Sequence, residues 1–230
     1  MAGYCREATD ADGGSGRGEK VQTVPVPNVK IVDIACGPEH TVALDDQCRV
    51  FTWGFGGYGR LGQKSADDVM TPQMLEIFER DNAVSGGACE IGAGGLCGFA
   101  RTNTESKLYF WGQTKPTGEA TMYPKPWYDL APFLVSTVGV GAKHTVAMTE
   151  QGCISFGASP CYGELGYGEG VSRSSTVPKR VAGLDGVNII ATACGHSHTL
   201  MIADVSTPEE EAKLAELPYF GKQMPKGTKA

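Results

Sequence analysis

The feature that most constrains this chain is a short corner pattern, Gly-x-x-His followed by alternating apolar residues, that recurs along the sequence. It occurs at 37–44, 141–148 and 195–202, and a weaker copy at 94–101 carries Cys97 in place of the histidine. Successive copies begin 57, 47 and 54 residues apart. Periods of this length are typical of propeller blades or stacked arrays, in which one unit cannot bury its apolar face alone.

Each period repeats the same order of features, which predicts four short strands per unit. A small-residue strand leads into the glycine corner, and the strand after the corner alternates with period two. A third strand ends in an aromatic residue and glycine, a glycine-rich loop follows, and a proline-led segment comes last. Because proline is tolerated on edge strands, this last segment is expected to be outermost, with the small residues near the axis.

Counting the units predicts an arc rather than a closed ring. It gives the last strand of an earlier blade at 29–36, three blades at 37–93, 94–140 and 141–194, and the first strand of another at 195–203. Open sheets expose backbone groups and apolar faces, so both ends of the arc are expected to be covered. We expect the missing propeller half, or another chain that completes the ring, to cover them. A second copy of this chain or a large assembly is the alternative.

The residues that recur in each unit are predicted to serve turns and packing rather than chemistry. A buried imidazole must hydrogen-bond through its ring nitrogens, and neighbouring backbone offers the simplest partner. Catalysis needs unlike groups that converge on one spot, which a periodic residue does not supply. The predicted structural positions are Gly37, His40, Trp53, Gly54, Gly94, Trp111, Gly112, Gly141, His144, Gly157, Gly195 and His198.

Composition and motifs argue against several classes of function. A net charge of −6 leaves no sequence-wide basic surface, so direct nucleic-acid binding is disfavoured. The eight cysteines form no Cys-x-x-Cys pair and are interpreted as reduced thiols, and no apolar run is long enough for a membrane span. Motifs of serine hydrolases, zinc proteases and phosphate loops are absent, and G-x-G-x-x-G at 54–59 lacks the helix that dinucleotide binding requires. We therefore expect no enzyme, no cofactor and no metal site.

The two ends of the sequence differ in character from the repeats. Residues 1–23 are glycine-rich and poor in apolar side chains, which predicts a flexible segment before repeats at 24–204. Thr207, followed by proline and then glutamate three positions after the threonine, predicts a helix within 205–218. The remaining 219–230 is expected to be a flexible tail.

Loops between the third and fourth strands, and an aromatic tract interrupted by prolines at 123–128, are candidate contacts with a protein partner. The tract is either a contact loop or the approach of a blade strand that simply packs. The candidate contact residues are Phe55, Tyr58, Arg60, Tyr123, Trp127, Tyr128, Tyr162 and Glu164.

The corner Gly-x-x-His-Thr-x-Ala-Leu, followed by aromatic-Trp-Gly and Gly-x-Leu-Gly, resembles the regulator of chromosome condensation repeat. Residues 51–62, 121–125, 163–168 and 197–200 resemble the carboxyl-terminal half of one member of that family, and the resemblance covers 24–218. It implies an all-β fold: a partial β-propeller of three to four blades out of a seven-bladed ring, with a short C-terminal helix.

The resemblance also implies a role. We expect a non-catalytic protein-interaction propeller that regulates or scaffolds a small GTPase or a mitotic or cytoskeletal partner. The alternative is a structural subunit of a large multi-protein assembly without regulatory activity. The implied location is intracellular, at the nucleus, the chromosomes or the cytoskeleton, with the cytoplasm otherwise. No exchange-specific residue of the family matches a position in this sequence.

Overall fold

The computed structural model describes residues 2–3, 22–23, 29–79, 81–82, 85–104, 107–114, 118–157, 162–168 and 170–217. Short strands dominate these residues, with 3-10 turns at Gly57–Gly59, Glu76–Phe78 and Ala182–Leu184. The strands and the helix, in chain order, are β1 (Ala2–Gly3), β2 (Gln22–Thr23), β3 (Ile31–Cys36), β4 (His40–Asp45), β5 (Val50–Gly54), β6 (Val69–Met74), β7 (Ala88–Ala93), β8 (Cys97–Thr102), β9 (Leu108–Gly112), β10 (Thr121–Pro126), β11 (Val135–Val140), β12 (Thr145–Thr149), β13 (Gly152–Gly157), β14 (Ser175–Arg180), β15 (Ile189–Cys194), β16 (Thr199–Ala203) and α1 (Pro208–Glu216).

Four successive stretches of chain fold into antiparallel sheets that follow one another. Sheet 1 has the order β3-β4-β5-β6, sheet 2 the order β7-β8-β9-β10, and sheet 3 the order β11-β12-β13-β14. Sheet 4 contains β15 and β16, and β1 pairs separately with β2. The prediction of an all-β, partial propeller with one short helix is confirmed.

The predicted limits of the blades are wrong. The segment at 29–36 belongs to sheet 1 and not to an earlier blade, because β3 pairs with β4 from Ile31↔Asp45 to Cys36↔Thr41. The glycine corner is a hairpin turn inside each sheet, closed in sheet 1 by Gly37 N donating to His40 O at 2.9 Å. The crossing to the next sheet lies instead after the proline-led outer strand.

The core lies between the faces of adjacent sheets, as alternating strands require. One cluster joins sheets 1 and 2 around Phe78 and Trp111, and a second joins sheets 2 and 3 around Trp127. A third, around Val146 and Val181, joins sheets 3 and 4. Each sheet is therefore held chiefly by its neighbours.

The corners of neighbouring sheets also touch through their backbones. Gly95 N donates to Gly141 O at 3.2 Å, and Ala142 N donates to Gly195 O at 3.3 Å. The residue at the equivalent place in sheet 1 is Pro38, which has no N–H to donate. These contacts fix the corners side by side at the inner edge of the arc.

The short helix α1 begins as its sequence predicts. Thr207 Oγ1 accepts from Glu210 N at 3.3 Å, and Thr207 N donates to Glu210 Oε2 at 3.0 Å, which is a capping box. No residue of α1 is buried, and only Leu217 just beyond it packs against the cluster between sheets 3 and 4. The predicted tail at 219–230, and most of the predicted flexible segment at 1–23, lie outside the described residues.

The structure also bears on the cysteines, on metal binding and on membrane spans. The described cysteines are free: Cys36, Cys48, Cys89, Cys97, Cys153 and Cys194. Among the described residues, no group of three or more histidine, cysteine or acidic side chains is placed to hold a metal ion. No helix in that part of the chain has the length and apolar character of a membrane span.

Candidate functional site

One end of the sheets carries both the glycine corners and the loops between third and fourth strands. Since successive strands run in opposite directions, the corner and this loop meet at the same end of each sheet, here called the corner end. Backbone bonds join the two, because Phe55 N donates to Glu39 O at 2.8 Å and Gln113 N donates to Leu96 O at 2.9 Å. The loops of sheets 1, 2 and 3 therefore share one end of the partial propeller.

Arg60 is firmly anchored at the corner end of sheet 1. It is 1% exposed, its Nη1 lies 2.7 Å from Glu39 Oε2, and its Nε donates to Gly57 O at 2.9 Å. The guanidinium carbon lies 4.7 Å from the centroid of the Phe55 ring and 5.9 Å from that of Tyr58. Phe55 is 41% exposed and Tyr58 is 54% exposed. A buried guanidinium thus holds two aromatic rings at the surface, and we call these three residues the aromatic cluster.

The equivalent loop of sheet 3 carries the opposite charge. Glu164 occupies the place of Arg60 in Gly-x-Leu-Gly, and its Oε2 accepts from Tyr162 N at 2.7 Å. Tyr162 is 80% exposed, whereas Glu164 is 7% exposed. The prediction that Arg60 and Glu164 contact a partner directly is wrong, since both side chains are buried. Arg60 lies against the rings of Phe55 and Tyr58, and Glu164 accepts from the backbone N–H of Tyr162.

Tyr123 and Tyr128 are two further exposed candidates. Tyr123 lines a groove of about 400 Å³ between the outer strands of sheets 1 and 2, together with Lys64 and Glu76. Lys64 Nζ pairs with Glu76 Oε2 at 2.9 Å on the surface of this groove. Tyr128 is 73% exposed but follows β10, which runs away from the corner end. The structure therefore separates Tyr128 from the other tyrosines.

Trp127 is a core residue, and its prediction as a partner contact is wrong. It is 3% exposed, and its ring centroid lies 6.4 Å from that of Phe99, 5.4 Å from Phe110 and 5.8 Å from Phe156. The 123–128 tract was predicted either to contact a partner or to pack in the fold, and Trp127 packs in the fold.

The recurrent histidines reach across to the next sheet. His40 and His144 are each 3% exposed. His40 Nε2 lies 3.2 Å from Cys97 O in sheet 2, and His144 Nε2 lies 2.8 Å from Thr199 Oγ1 in sheet 4. Within the described part of the chain, the Nδ1 atoms of both buried rings have no hydrogen-bond partner. His198, in sheet 4, is exposed.

The recurrent glycines lie where two backbones approach each other. A Cβ atom on the glycine that ends each third strand would come within 2.5 Å of a corner carbonyl oxygen of its own sheet: Gly54, Gly112 and Gly157. A Cβ atom on the first three corner glycines would lie 2.6, 3.0 and 2.6 Å from the glycine oxygen of the next corner: Gly37, Gly94 and Gly141. At Gly195 it would meet the ring of His198 at 2.2 Å.

The two recurrent tryptophans differ in their surroundings. Trp111 is fully buried, and its Nε1 donates to Arg60 O at 2.9 Å, which ties the sheet 1 loop to sheet 2. Trp53 is half-buried and, by strand alternation with Thr52, lies on the face of sheet 1 that points away from sheet 2.

Glu90 is an inter-sheet contact that the sequence analysis missed. Its Oε2 pairs with Arg101 Nε at 2.7 Å, and its Oε1 accepts from Val138 N in sheet 3 at 3.3 Å. The available signal was a carboxylate within the otherwise small, apolar strand Ala88–Ala93. A charge in such a strand needs a partner, because burial of an unpaired carboxylate is costly.

Burial sets the protonation of the corner histidines. Desolvation, and next the nearby Arg60 guanidinium, lower the pKa of His40 from 6.5 to about 4. Desolvation likewise lowers the pKa of His144, although the Glu164 carboxylate opposes it. The neutral imidazole is therefore the folded form at both positions near neutral pH.

This pKa shift predicts a pH-dependent contribution of His40 to stability. The unfolded chain binds the proton more readily, so the contribution is fully present above pH 6.5 and is lost as pH falls towards 4. Replacing His40 with glutamine is expected to destabilise the protein at pH 7, and the difference from the unchanged chain should shrink on acidification by up to about 3 kcal/mol. Urea unfolding at pH 7, 5.5 and 4.5 measures this difference.

The matched control for this prediction is His198→Gln, which removes an exposed imidazole. A stability difference between His40→Gln and the unchanged chain that stays constant across the pH series would contradict the buried, neutral assignment.

The chain matches the models of the regulator of chromosome condensation (RCC1) repeat at residues 49–91 and 153–202, and a second model of the same description at 31–60. Each of the two longer matches runs from the third strand of one sheet into the first strand or strands of the next. The sequence repeat and the sheet are therefore offset from each other.

The RCC2 homolog of Xenopus laevis is 42% identical over 199 residues, which cover 86% of this chain and 38% of that protein. The chain thus spans well under half the length of this curated relative. The structure of human WBSCR16 superposes with a TM-score of 0.66 at 20% identity, over 81% of this chain and 48% of that one. Prp20p from Saccharomyces cerevisiae gives 0.57 at 24% identity, over 81% and 46%. At these identities the two structures establish the fold alone. Since the repeats in the sequence and the sheets in the structure correspond to one family, the chain belongs to the regulator of chromosome condensation repeat proteins.

Proposed function

We propose that this chain is the part of a protein-interaction propeller that contacts a protein partner through its corner end, with a small GTPase as the first candidate. The observation that carries the proposal is the pair of exposed aromatic rings, Phe55 and Tyr58, held on the buried Arg60. The related Prp20p has been described together with its binding to Gsp1p.

The aromatic cluster has the properties of an interface anchor. Aromatic side chains dominate the binding energy of many interfaces, and rings already fixed in place lose little conformational freedom on binding. Phe55 packs over the backbone of Gly57, where a Cβ atom would lie 2.6 Å from the ring. Asp68 Oδ1 accepts from Gly56 N at 2.9 Å and closes the loop beneath them. The loop therefore presents both rings on a rigid support.

The proposed role is regulatory or scaffolding and needs no catalytic group, because a protein surface pressed against a GTPase can change its nucleotide release. The absence of an enzyme activity and the intracellular location stay part of this proposal. The intracellular location is supported by membership of the repeat family.

A second candidate is a structural subunit of a larger assembly. Sheet 4 favours it, since Ile190, Leu200 and Ile202 are 58%, 65% and 60% exposed on one face. Exposed apolar patches of this kind mark surfaces that another protein covers.

Binding to a panel of purified small GTPases, with fluorescent nucleotide release as the readout, tests the first candidate. The double change Phe55→Ala and Tyr58→Ala is expected to weaken binding about tenfold or more, as loss of anchor residues does. Tyr128→Ala, at the opposite end, is the matched control and should leave binding unchanged.

Two outcomes would contradict the regulatory proposal. One is equal binding by the double variant and the unchanged chain. The other is stoichiometric co-purification with many subunits without any effect on nucleotide release, which is the result that the structural-subunit candidate predicts.

A further inference from the structure

The surroundings of the aromatic cluster carry more negative than positive charge. Glu39, Asp67 and Asp68 are exposed beside it, and the guanidinium of Arg60 is the positive charge among them. Arg60 is buried and already paired with Glu39 at 2.7 Å, so its charge is neutralised towards solvent. Among the described residues neither Asp67 nor Asp68 forms an ion pair, so the exposed surface combines aromatic rings with these two carboxylates.

The two aspartates lie directly against the aromatic turn. A Cβ atom on Gly56 would lie 1.8 Å from Asp67 O, and Gly54 is paired with Val69, which brings the returning chain beside the turn. Asp68 uses one carboxylate oxygen for the amide of Gly56. Asp67 is exposed, and its backbone N–H bonds to Ser65 Oγ at 3.4 Å. The turn and its carboxylates are thus parts of one small surface.

Both rings of the aromatic cluster already lie beside one positively charged group. The Phe55 and Tyr58 rings both lie within 6 Å of a guanidinium from below, which is the distance at which a cation is attracted to an aromatic face. Large fractions of both rings remain exposed to solvent. Because Glu39 neutralises Arg60, a second cation that approaches from solvent meets little repulsion and is attracted by the Asp67 and Asp68 carboxylates.

We infer that the aromatic cluster, with Asp67 and Asp68 beside it, binds a lysine- or arginine-bearing segment of the protein partner. This inference rests on the proposed function and names the chemistry of the partner at the same surface. An anionic segment would meet the carboxylates and is rejected. An apolar segment would cover the rings but leave the carboxylates desolvated without a partner, which is unfavourable.

The equivalent loop of sheet 3 differs in its charges. There Glu164 replaces Arg60 next to the exposed Tyr162. The cation beside a ring in that sheet is Lys179, whose Nζ lies 4.7 Å from the centroid of the Tyr167 ring, whereas in the sheet 1 loop one buried guanidinium lies beside two exposed rings. This makes Tyr162 a useful internal comparison for an experiment.

The test uses the whole chain and short synthetic probes. A tetra-arginine peptide is titrated while the backbone amide resonances of Gly56 and Gly57 are followed by NMR, with a tetra-glutamate peptide as the opposite-charge probe. We expect saturable shifts with the arginine peptide alone, and binding that weakens as salt is raised. Tyr58→Ala and Asp67→Asn should each weaken binding by about threefold to tenfold.

Tyr128→Ala is the matched control for loss of an exposed tyrosine, and it should bind as the unchanged chain does. Thermal unfolding of each variant verifies that the fold is kept. Equal affinity for the two peptides overturns the inference, as does arginine-peptide binding that is unaffected by Tyr58→Ala and Asp67→Asn. If the GTPase still loses binding on the Phe55 and Tyr58 changes, the proposed function stands although this inference fails.

Discussion

Replacing Gly112 with alanine is expected to destabilise the protein by at least about 4 kcal/mol, which is in the range where a marginally stable domain no longer folds. Gly112 ends β9 with φ of +85°, a conformation that L residues with a side chain adopt at a cost. An added Cβ would also lie 2.3 Å from Leu96 O and 2.8 Å from Cys97 Cα, both backbone atoms of the corner. Neither rotation of a side chain nor a small shift relieves that clash. Chemical unfolding monitored by tryptophan fluorescence measures the effect.

Gly168→Ala separates the two causes. Gly168 has the same φ of +85°, but no atom of the described residues lies within 4 Å of the position of its Cβ. Its substitution should cost only the conformational strain, about 1–2 kcal/mol. If the two alanine variants lose the same stability, close approach to the corner is not what requires glycine at the end of the third strand.

Truncation of Trp127 to alanine is the second large effect that we expect. The ring lies in the cluster between sheets 2 and 3 and contacts three phenylalanine rings. Removing a buried tryptophan leaves a cavity and costs about 3–5 kcal/mol. The loss should appear as a lower midpoint of urea unfolding, with the slope of the transition little changed.

The neighbouring Tyr128 provides the control for Trp127, because it is 73% exposed and one residue away. Tyr128→Ala is expected to change stability by no more than about 0.5 kcal/mol. The pair distinguishes a core tryptophan from a contact loop. A Trp127→Ala protein of unchanged stability that loses partner binding would restore the contact interpretation of this tract.

Sequence patterns predicted the individual strands and the helix more accurately than they predicted which strands form one sheet. The alternation after each corner identified β4, β12 and β16, and the Thr207 cap identified α1. The predicted limits of the blades are wrong because the sequence pattern of a glycine turn is the same whether the turn joins two strands of one sheet or strands of two different sheets. Only the pairing of β3 with β4 decides between the two, and pairing depends on contacts that no local pattern encodes.

At the candidate site, too, local sequence identified the residues but did not predict contacts with residues distant in the chain. The sequence marked Phe55, Tyr58 and Arg60 as loop residues, but it gave no sign that Arg60 is buried. In the folded chain the Arg60 guanidinium pairs with Glu39 from the corner, and the Arg60 carbonyl oxygen accepts from the indole of Trp111 in the next sheet. For Trp127, a loop-like setting between prolines and a tyrosine concealed a residue that three distant phenylalanines enclose.

The offset between sequence repeat and sheet has a consequence for how the molecule comes apart. Residues 49–91 contribute β5 and β6 to sheet 1 and β7 to sheet 2, and residues 153–202 bridge sheets 3 and 4 in the same manner. No sheet is then made by one repeat, so loss of one repeat removes strands from two sheets at once. Unfolding of one sheet is thereby coupled to unfolding of the next, because each repeat contributes strands to both. Melting should proceed as a concerted transition across adjoining sheets, where an array of self-contained modules would instead fray one module at a time.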